Sequence, residues 1–152
     1  MVIALVIFLA GYLLNIFYVT VLYHRGITHR ALELYPWTLK LISTTGIWVT
    51  GLDPKAWACM HRLHHMHSDT HRDPHSPVNL GVPGVLLGQL HSYQRILGRL
   101  ILKHKETTNV VADIPFDVSF LNKHGLWMIP YLVHVVISLA IAFIAGLPLI
   151  GA

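Results

Sequence analysis

Two histidine clusters carry most of the chemistry available to this chain: His24-Arg-Gly-Ile-Thr-His29 and His61-Arg-Leu-His64-His65. In the second, positions i, i+3 and i+4 set three imidazoles on one face of a helix, close enough to reach one or two metal ions. In the first, a spacing of five residues turns roughly 140° on an ideal α-helix, so His24 and His29 converge only if the helix ends or loosens, and Gly26 sits where such a break is needed. Crowding five imidazoles carries a cost in desolvation and repulsion that metal coordination offsets. Ligation by imidazole alone suits iron, copper or zinc, and spacing does not choose among them. No Glu stands inside either cluster, which excludes the His-Glu-x-x-His arrangement of zinc proteases. Histidine is abundant throughout, with 12 among the 152 residues. Those standing alone, His67, His71, His91, His104 and His134, read as solvated or hydrogen-bonded side chains.

The elements that must position these clusters follow from hydropathy. Residues 1–23 contain no Lys, Arg, Asp, Glu or His, and about 20 apolar residues in a helix cross the hydrocarbon core of a bilayer. A transmembrane helix is expected there rather than a cleaved signal, because no basic n-region or small-residue cleavage site is present. Residues 125–147 form a second expected span whose only ionisable group is His134, with Pro130 placed to kink it near its start. Between the two lies a polar section, residues 24–124, that holds every Lys, Arg, Asp and Glu and that the positive-inside rule assigns to the cytoplasm. Inside that section the stretch from Trp37 to Gly51 is apolar but short. A single crossing there would put the two histidine clusters on opposite faces of the membrane, so an interfacial or re-entrant helix is expected. From Val85 to Lys103, Leu86, Leu90, Leu97 and Ile101 recur at helical spacing, with Arg95, Arg99 and Lys103 on another face, the pattern of a helix lying on anionic lipid. The fold class expected is all-α, an integral membrane protein with two spanning helices and a cytoplasmic helical section.

Composition agrees with this. Hydrophobic residues make up 54% of the chain and charged residues 12%, about half the quarter typical of soluble domains. The mean hydropathy is +0.56, which excludes intrinsic disorder. A net charge of +4 is too modest to suggest a nucleic-acid partner. The single cysteine, Cys59, has no partner for an intramolecular disulfide.

The residues resemble the membrane fatty acid desaturases, particularly the acyl-CoA or stearoyl delta-9 type. His24-Arg-Gly-Ile-Thr-His29 is similar to that family's first histidine box. Trp57-Ala-Cys-Met-His61-Arg-Leu-His64-His65 is similar to the second with its preceding tryptophan, and Ser68-Asp69-Thr70 with Asp73-Pro74-His75 is similar to the stretch after that box. The resemblance covers Leu22 to about Asn79. It implies a di-iron centre with His24, His29, His61, His64 and His65 as ligands, O2 as co-substrate, and a cis double bond as product. It further implies electrons from cytochrome b5 or ferredoxin and a site facing the cytoplasm of a bacterial inner membrane or the endoplasmic reticulum. Cys59-Met60 stands where animal acyl-CoA members carry Arg-Asp, which leaves a CoA, lipid or carrier-protein ester open as the acyl substrate.

Around the ligands, Trp57 lies one turn before His61 and is expected to pack on the site or the substrate. Asp73 and His75 are candidates to orient a ligand imidazole. Tyr12, about three turns before His24, is a candidate to meet the methyl end of the acyl chain. Two other readings are a histidine-box hydroxylase and a non-catalytic membrane metal-binding protein. The family's third box, another His-x-x-His-His, has no counterpart after His75. The expectation is therefore a partial desaturase domain that is inactive alone.

Overall fold

The computed structural model describes residues 2–144 and 146, and side chains from residue 5 onward. Helix α1, Val2–Phe17, runs without interruption into a π-helical segment, Tyr18–Thr28. Together they supply a helix, Leu5–Thr28, long and apolar enough to cross a membrane, with few of its side chains covered by protein. Helix α2, Pro36–Thr50, returns alongside it: Asn15 Nδ2 donates to the Val49 carbonyl at 3.1 Å, and the Tyr18 hydroxyl lies 2.8 Å from Thr45 Oγ1. Close approach depends on Gly46, where a Cβ would collide with the Tyr23 hydroxyl. Gly51, in the left-handed region at φ 73°, ends α2 and turns the chain back into α3, Pro54–His67. This path up and back brings the second histidine cluster to the same end of the long helix as the first.

Helix α3 starts where its sequence dictates. Asp53 caps it, accepting from the backbone N–H groups of Lys55 and Ala56, and Pro54 occupies the first turn, where no backbone donor is needed. The first half of α3 is buried all round: the consecutive residues Ala56, Trp57, Ala58, Cys59 and Met60, more than one full turn, are fully or nearly fully covered. They belong to one core cluster with Tyr23, Ile27, Ile42, Ile96, Leu100, Val111 and Ile114. The histidines thus stand directly on the apolar core.

Helix α4, Pro77–Ile101, begins earlier than its hydropathy suggests, with Ser76 as its cap and a non-helical break at Gly81. Its packed face is Tyr93, Ile96 and Leu100, with Leu97 and Ile101 at the core margin. Leu86 and Leu90 are uncovered. Lys103 falls outside the helix with φ 54°, so it does not continue the expected basic stripe, and Arg99 pairs with Glu106 at 3.1 Å. Two short helices come next, α5 at Lys105–Val110 and α6 at Phe120–Lys123.

The last helix, α7, spans Ile129–Ile144. At 16 residues it rises about 24 Å, short of the roughly 30 Å hydrocarbon core. Only Leu5–Thr28 is long enough to span among the described residues. The apolar run does not become helical where it starts, because Gly125 adopts φ 71° and the turn continues through Met128. Pro130 therefore lies in the first turn of α7, where its missing N–H costs nothing, and it does not kink the helix. The C-terminal end of the second expected span, residues 145 and 147, lies outside the described residues. Among the described residues there is no β-strand, so the all-helical expectation holds.

Candidate metal centre

The π-helical segment resolves the spacing problem of the first cluster. Its hydrogen bonds run from i+5 to i, and the His29 N–H donates to the His24 carbonyl at 3.0 Å. Residues five apart then share a face. The two rings lie 4.5 Å apart between centroids. His61 joins them from α3, at 4.8 Å from His24 and 5.4 Å from His29, and His65 stands 4.8 Å from His29. One ring nitrogen from each of His24, His29, His61 and His65 lies within 4.8 Å of all the others.

The donor set fits a transition metal. Nitrogens bonded at about 2.0–2.1 Å to one ion at tetrahedral or right angles lie roughly 2.9–3.4 Å apart, and Nε2 of His61 is 3.1 Å from Nε2 of His65. A neutral imidazole offers one ring-nitrogen lone pair, so four such rings with nitrogens this close can supply four donors to one ion. Trp57 floors the group, stacked on His61 at 4.9 Å with an angle of 11° between planes.

His64 departs from the other four. Its Nδ1 lies 2.9 Å from both carboxylate oxygens of Asp73, whose side chain is fully buried and also accepts from the N–H groups of Asp69 and His75. A carboxylate on Nδ1 leaves Nε2 as the lone-pair nitrogen and fixes the ring, the arrangement by which carboxylates orient metal-bound histidines. His75 stacks on His64 at 4.4 Å, and its Nδ1 is buried with no hydrogen-bond partner. His64, Asp73 and His75 make a second group able to hold an ion. The structure therefore brings together all five clustered histidines with Trp57, Asp73 and His75, but in two adjoining groups of four and three. Tyr12 is elsewhere, exposed on α1 and stacked against Phe8. His71, His91, His104 and His134 are exposed and His67 is half-buried, all outside both groups.

Burial and mutual repulsion hold His29, His61 and His75 below the ordinary imidazole value. Desolvation, then the neighbouring His24, His65, His29 and His64, push His61 down to about 4 from 6.5. Desolvation also lowers His29, reinforced by His24 and His65, and lowers His75, reinforced by His64. Each folded-state value lies below its unfolded one, so on acidification the unfolded chain takes up protons first. The metal-free protein is expected to lose stability as the pH falls from 6.5 towards about 4 and to show no such loss on the alkaline side. Thermal unfolding followed by circular dichroism across this range checks it; a midpoint that rises on acidification contradicts the packing of these rings.

Arg62 and Asp53 also bear on the site, and spacing singles out neither. Arg62 lies inside the second cluster, and the Asp-Pro pair at 53 and 54 is a legible helix-start signal. The groups that each reaches in space are not written in the spacing.

No protein-family model matches the chain, and no solved structure matches it. Among curated proteins it is 42% identical over 59 residues to the Arabidopsis thaliana protein called "Probable lipid desaturase ADS3.2, chloroplastic", a match covering 39% of this chain and 16% of that protein. It is 39% identical over 59 residues to delta-9 acyl-lipid desaturase 2 of the same plant, covering 39% and 19%. To the acyl-CoA 5-desaturase AL21 of Anemone leveillei it is 38% identical over 64 residues, covering 42% and 20%. The matched segment spans no more than about a fifth of the length of these relatives. Over that shared segment the chain is similar to fatty acid desaturases.

Proposed function

We propose that this chain forms part of the catalytic core of an oxygen-dependent di-iron acyl desaturase that introduces a cis double bond into a fatty acyl substrate. The observation that supports it most is the convergence of four imidazoles at the end of a membrane-length apolar helix, in a chain related to desaturases. In this reading His24, His29, His61 and His65 hold one iron, and His64, oriented by Asp73, serves the other. Bound there, iron supplies the oxidation by O2 that removes two hydrogens from an acyl chain. The protein's own groups do the rest. The Asp73 carboxylate keeps the His64 proton on Nδ1 and its lone pair on Nε2. Trp57 blocks approach from the core side of His61. His24 lies in the last turn of the long helix, which ends at Thr28, so the acyl chain of a CoA, lipid or carrier-protein ester enters from the bilayer while electrons arrive from cytochrome b5 or ferredoxin in the aqueous phase. The site faces the cytoplasm of a multi-pass membrane protein in which α7 contributes to a second span.

Expression of the intact protein in cells lacking their own membrane desaturase, with gas chromatography of the acyl chains, tests the reading. A new cis-unsaturated chain that disappears with His64→Ala supports it. Hydroxylated chains assign the site to a hydroxylase, and bound iron with neither product assigns it to non-catalytic metal binding. Asp73→Asn, which keeps the shape but removes the charge, is expected to weaken iron binding about 10-fold to 100-fold, measured by iron content after dialysis; full retention would remove Asp73 from the orienting role.

A further inference from the structure

Asp113 lies between α5 and α6, far in sequence from both histidine clusters, yet its carboxylate joins them. Arg62, the residue after His61, presents its guanidinium as a fork, with Nη1 and Nη2 each meeting one Asp113 oxygen. Arg30, the residue after His29, brings Nη2 to 2.8 Å from Asp113 Oδ2. Arg30, just past the last histidine of the first cluster, and Arg62, just past the first histidine of the second, therefore end on the same carboxylate. Arg62 does more with its remaining donors. Its Nε reaches the Thr28 carbonyl at 3.0 Å, Nη2 the Ile27 carbonyl at 2.9 Å, and Nη1 the Val110 carbonyl at 2.8 Å. Ile27 and Thr28 immediately precede His29, and their carbonyls are among those that the end of a helix leaves without a partner. A cation there also suits the negative end of the helix.

The contacts have a mechanical consequence. The π-helical turn that pairs His24 with His29 ends at Thr28, and Arg30 then takes the left-handed φ of 52° that a non-glycine residue adopts only when its surroundings hold it there. Arg62 holds this turn from the α3 side and Arg30 holds it from beyond, with Asp113 as their shared anchor. The side chains of Arg62 and Asp113 are 17% and 28% exposed, and a bidentate pair of this kind is both stronger and more directional than a surface ion pair. Lys at position 62 would keep the charge without the fork.

We propose that Asp113, acting through Arg62 and Arg30, is a positioning residue of the metal centre: it sets the separation of the two histidine clusters and so how tightly four imidazoles close on one ion. The inference rests on the metal-binding reading above. Its test is cobalt(II) titration of the purified full chain in detergent, recording affinity and the visible ligand-field spectrum alongside helical circular dichroism. D113N and R62K are expected to bind cobalt about 10-fold to 100-fold more weakly than the unaltered chain, with a changed spectrum and the same helicity. E106Q, which breaks the ion pair with Arg99 away from the site, serves as control and is expected to match the unaltered chain. Should D113N lose its helicity, R30Q decides, since it removes only the arm whose side chain is 63% exposed: weaker cobalt binding with helicity retained supports the inference, and unchanged binding overturns it. D113N equal to the unaltered chain in affinity and spectrum also overturns it while leaving the metal-binding reading intact. An unaltered chain that binds no cobalt overturns that reading itself.

Discussion

Replacing His65 with alanine is expected to remove the metal from the site almost completely. Four ring nitrogens from His24, His29, His61 and His65 converge within 4.8 Å, and the pair formed by His61 and His65 already stands at the separation that two ligands of one ion adopt. With His65 gone, three ligands remain, and the side of the ion that it covered opens to water, because His65 is itself exposed. Loss of a partner that merely orients a ligand costs about 10-fold to 100-fold in affinity. Loss of a ligand is expected to exceed that range, for His61→Ala as for His65→Ala. Iron per chain after dialysis, by elemental analysis, gives the readout. His91→Ala and His104→Ala supply the comparison, since both residues are exposed and belong to neither group. Iron content that falls equally in all four variants would mean that the metal is held by histidines at large and not by this site.

The features legible in the sequence and those hidden from it divide along a physical line. Spacing alone exposes the shared face of His61, His64 and His65, because helical periodicity is local. The demand that the helix loosen near Gly26 is also local, and the π-helical segment from Tyr18 to Thr28 answers it. That both clusters meet at one end of the long helix follows from ruling out a single crossing by the stretch from Trp37 to Gly51. By contrast, the separation of His64 from the other four depends on Asp73, nine residues along, being turned back onto it by the loop after α3. No periodicity encodes that loop. Hydropathy likewise marks where apolar residues lie and not where a helix begins. Residues 125–128 are as apolar as those after them, yet the left-handed Gly125 delays α7 until Ile129. The basic stripe is shortened for the same kind of reason, at Lys103. Arg62 and Asp113 are 51 residues apart, and charge patterning within one helix is blind to such a pair.

Asp53→Ala is expected to be among the most destabilising single substitutions in the chain. Its side chain is fully buried and serves four donors: the N–H groups of Lys55 and Ala56 at the start of α3, the N–H of Ser119 at 2.7 Å, and the Asn122 side-chain amide at 3.4 Å. Its own N–H donates to the Tyr93 hydroxyl at 2.7 Å, which ties the same point to α4. Loss of a helix cap costs about 0.5–2 kcal/mol. Each buried donor left without a partner adds roughly 1–3 kcal/mol, and the Ser119 N–H has no other acceptor among the described contacts. The sum is roughly 3 kcal/mol or more even after water relieves part of the deficit. This is a sizeable fraction of the about 5–15 kcal/mol that holds a typical domain folded. Asp53→Asn keeps an acceptor for the cap but turns an amide towards donors that want a carboxylate, and its expected cost lies between zero and that of alanine. The consequence reaches the metal, because α3 carries His61, His64 and His65 and its first turn is held in place by Asp53. Chemical unfolding in detergent, followed by circular dichroism and paired with iron content, is expected to show Asp53→Ala lowering both while His65→Ala lowers iron alone. Stability within about 0.5 kcal/mol of the unaltered protein, the range of an ordinary surface substitution, would mean that the start of α3 is held by its apolar face and not by the carboxylate.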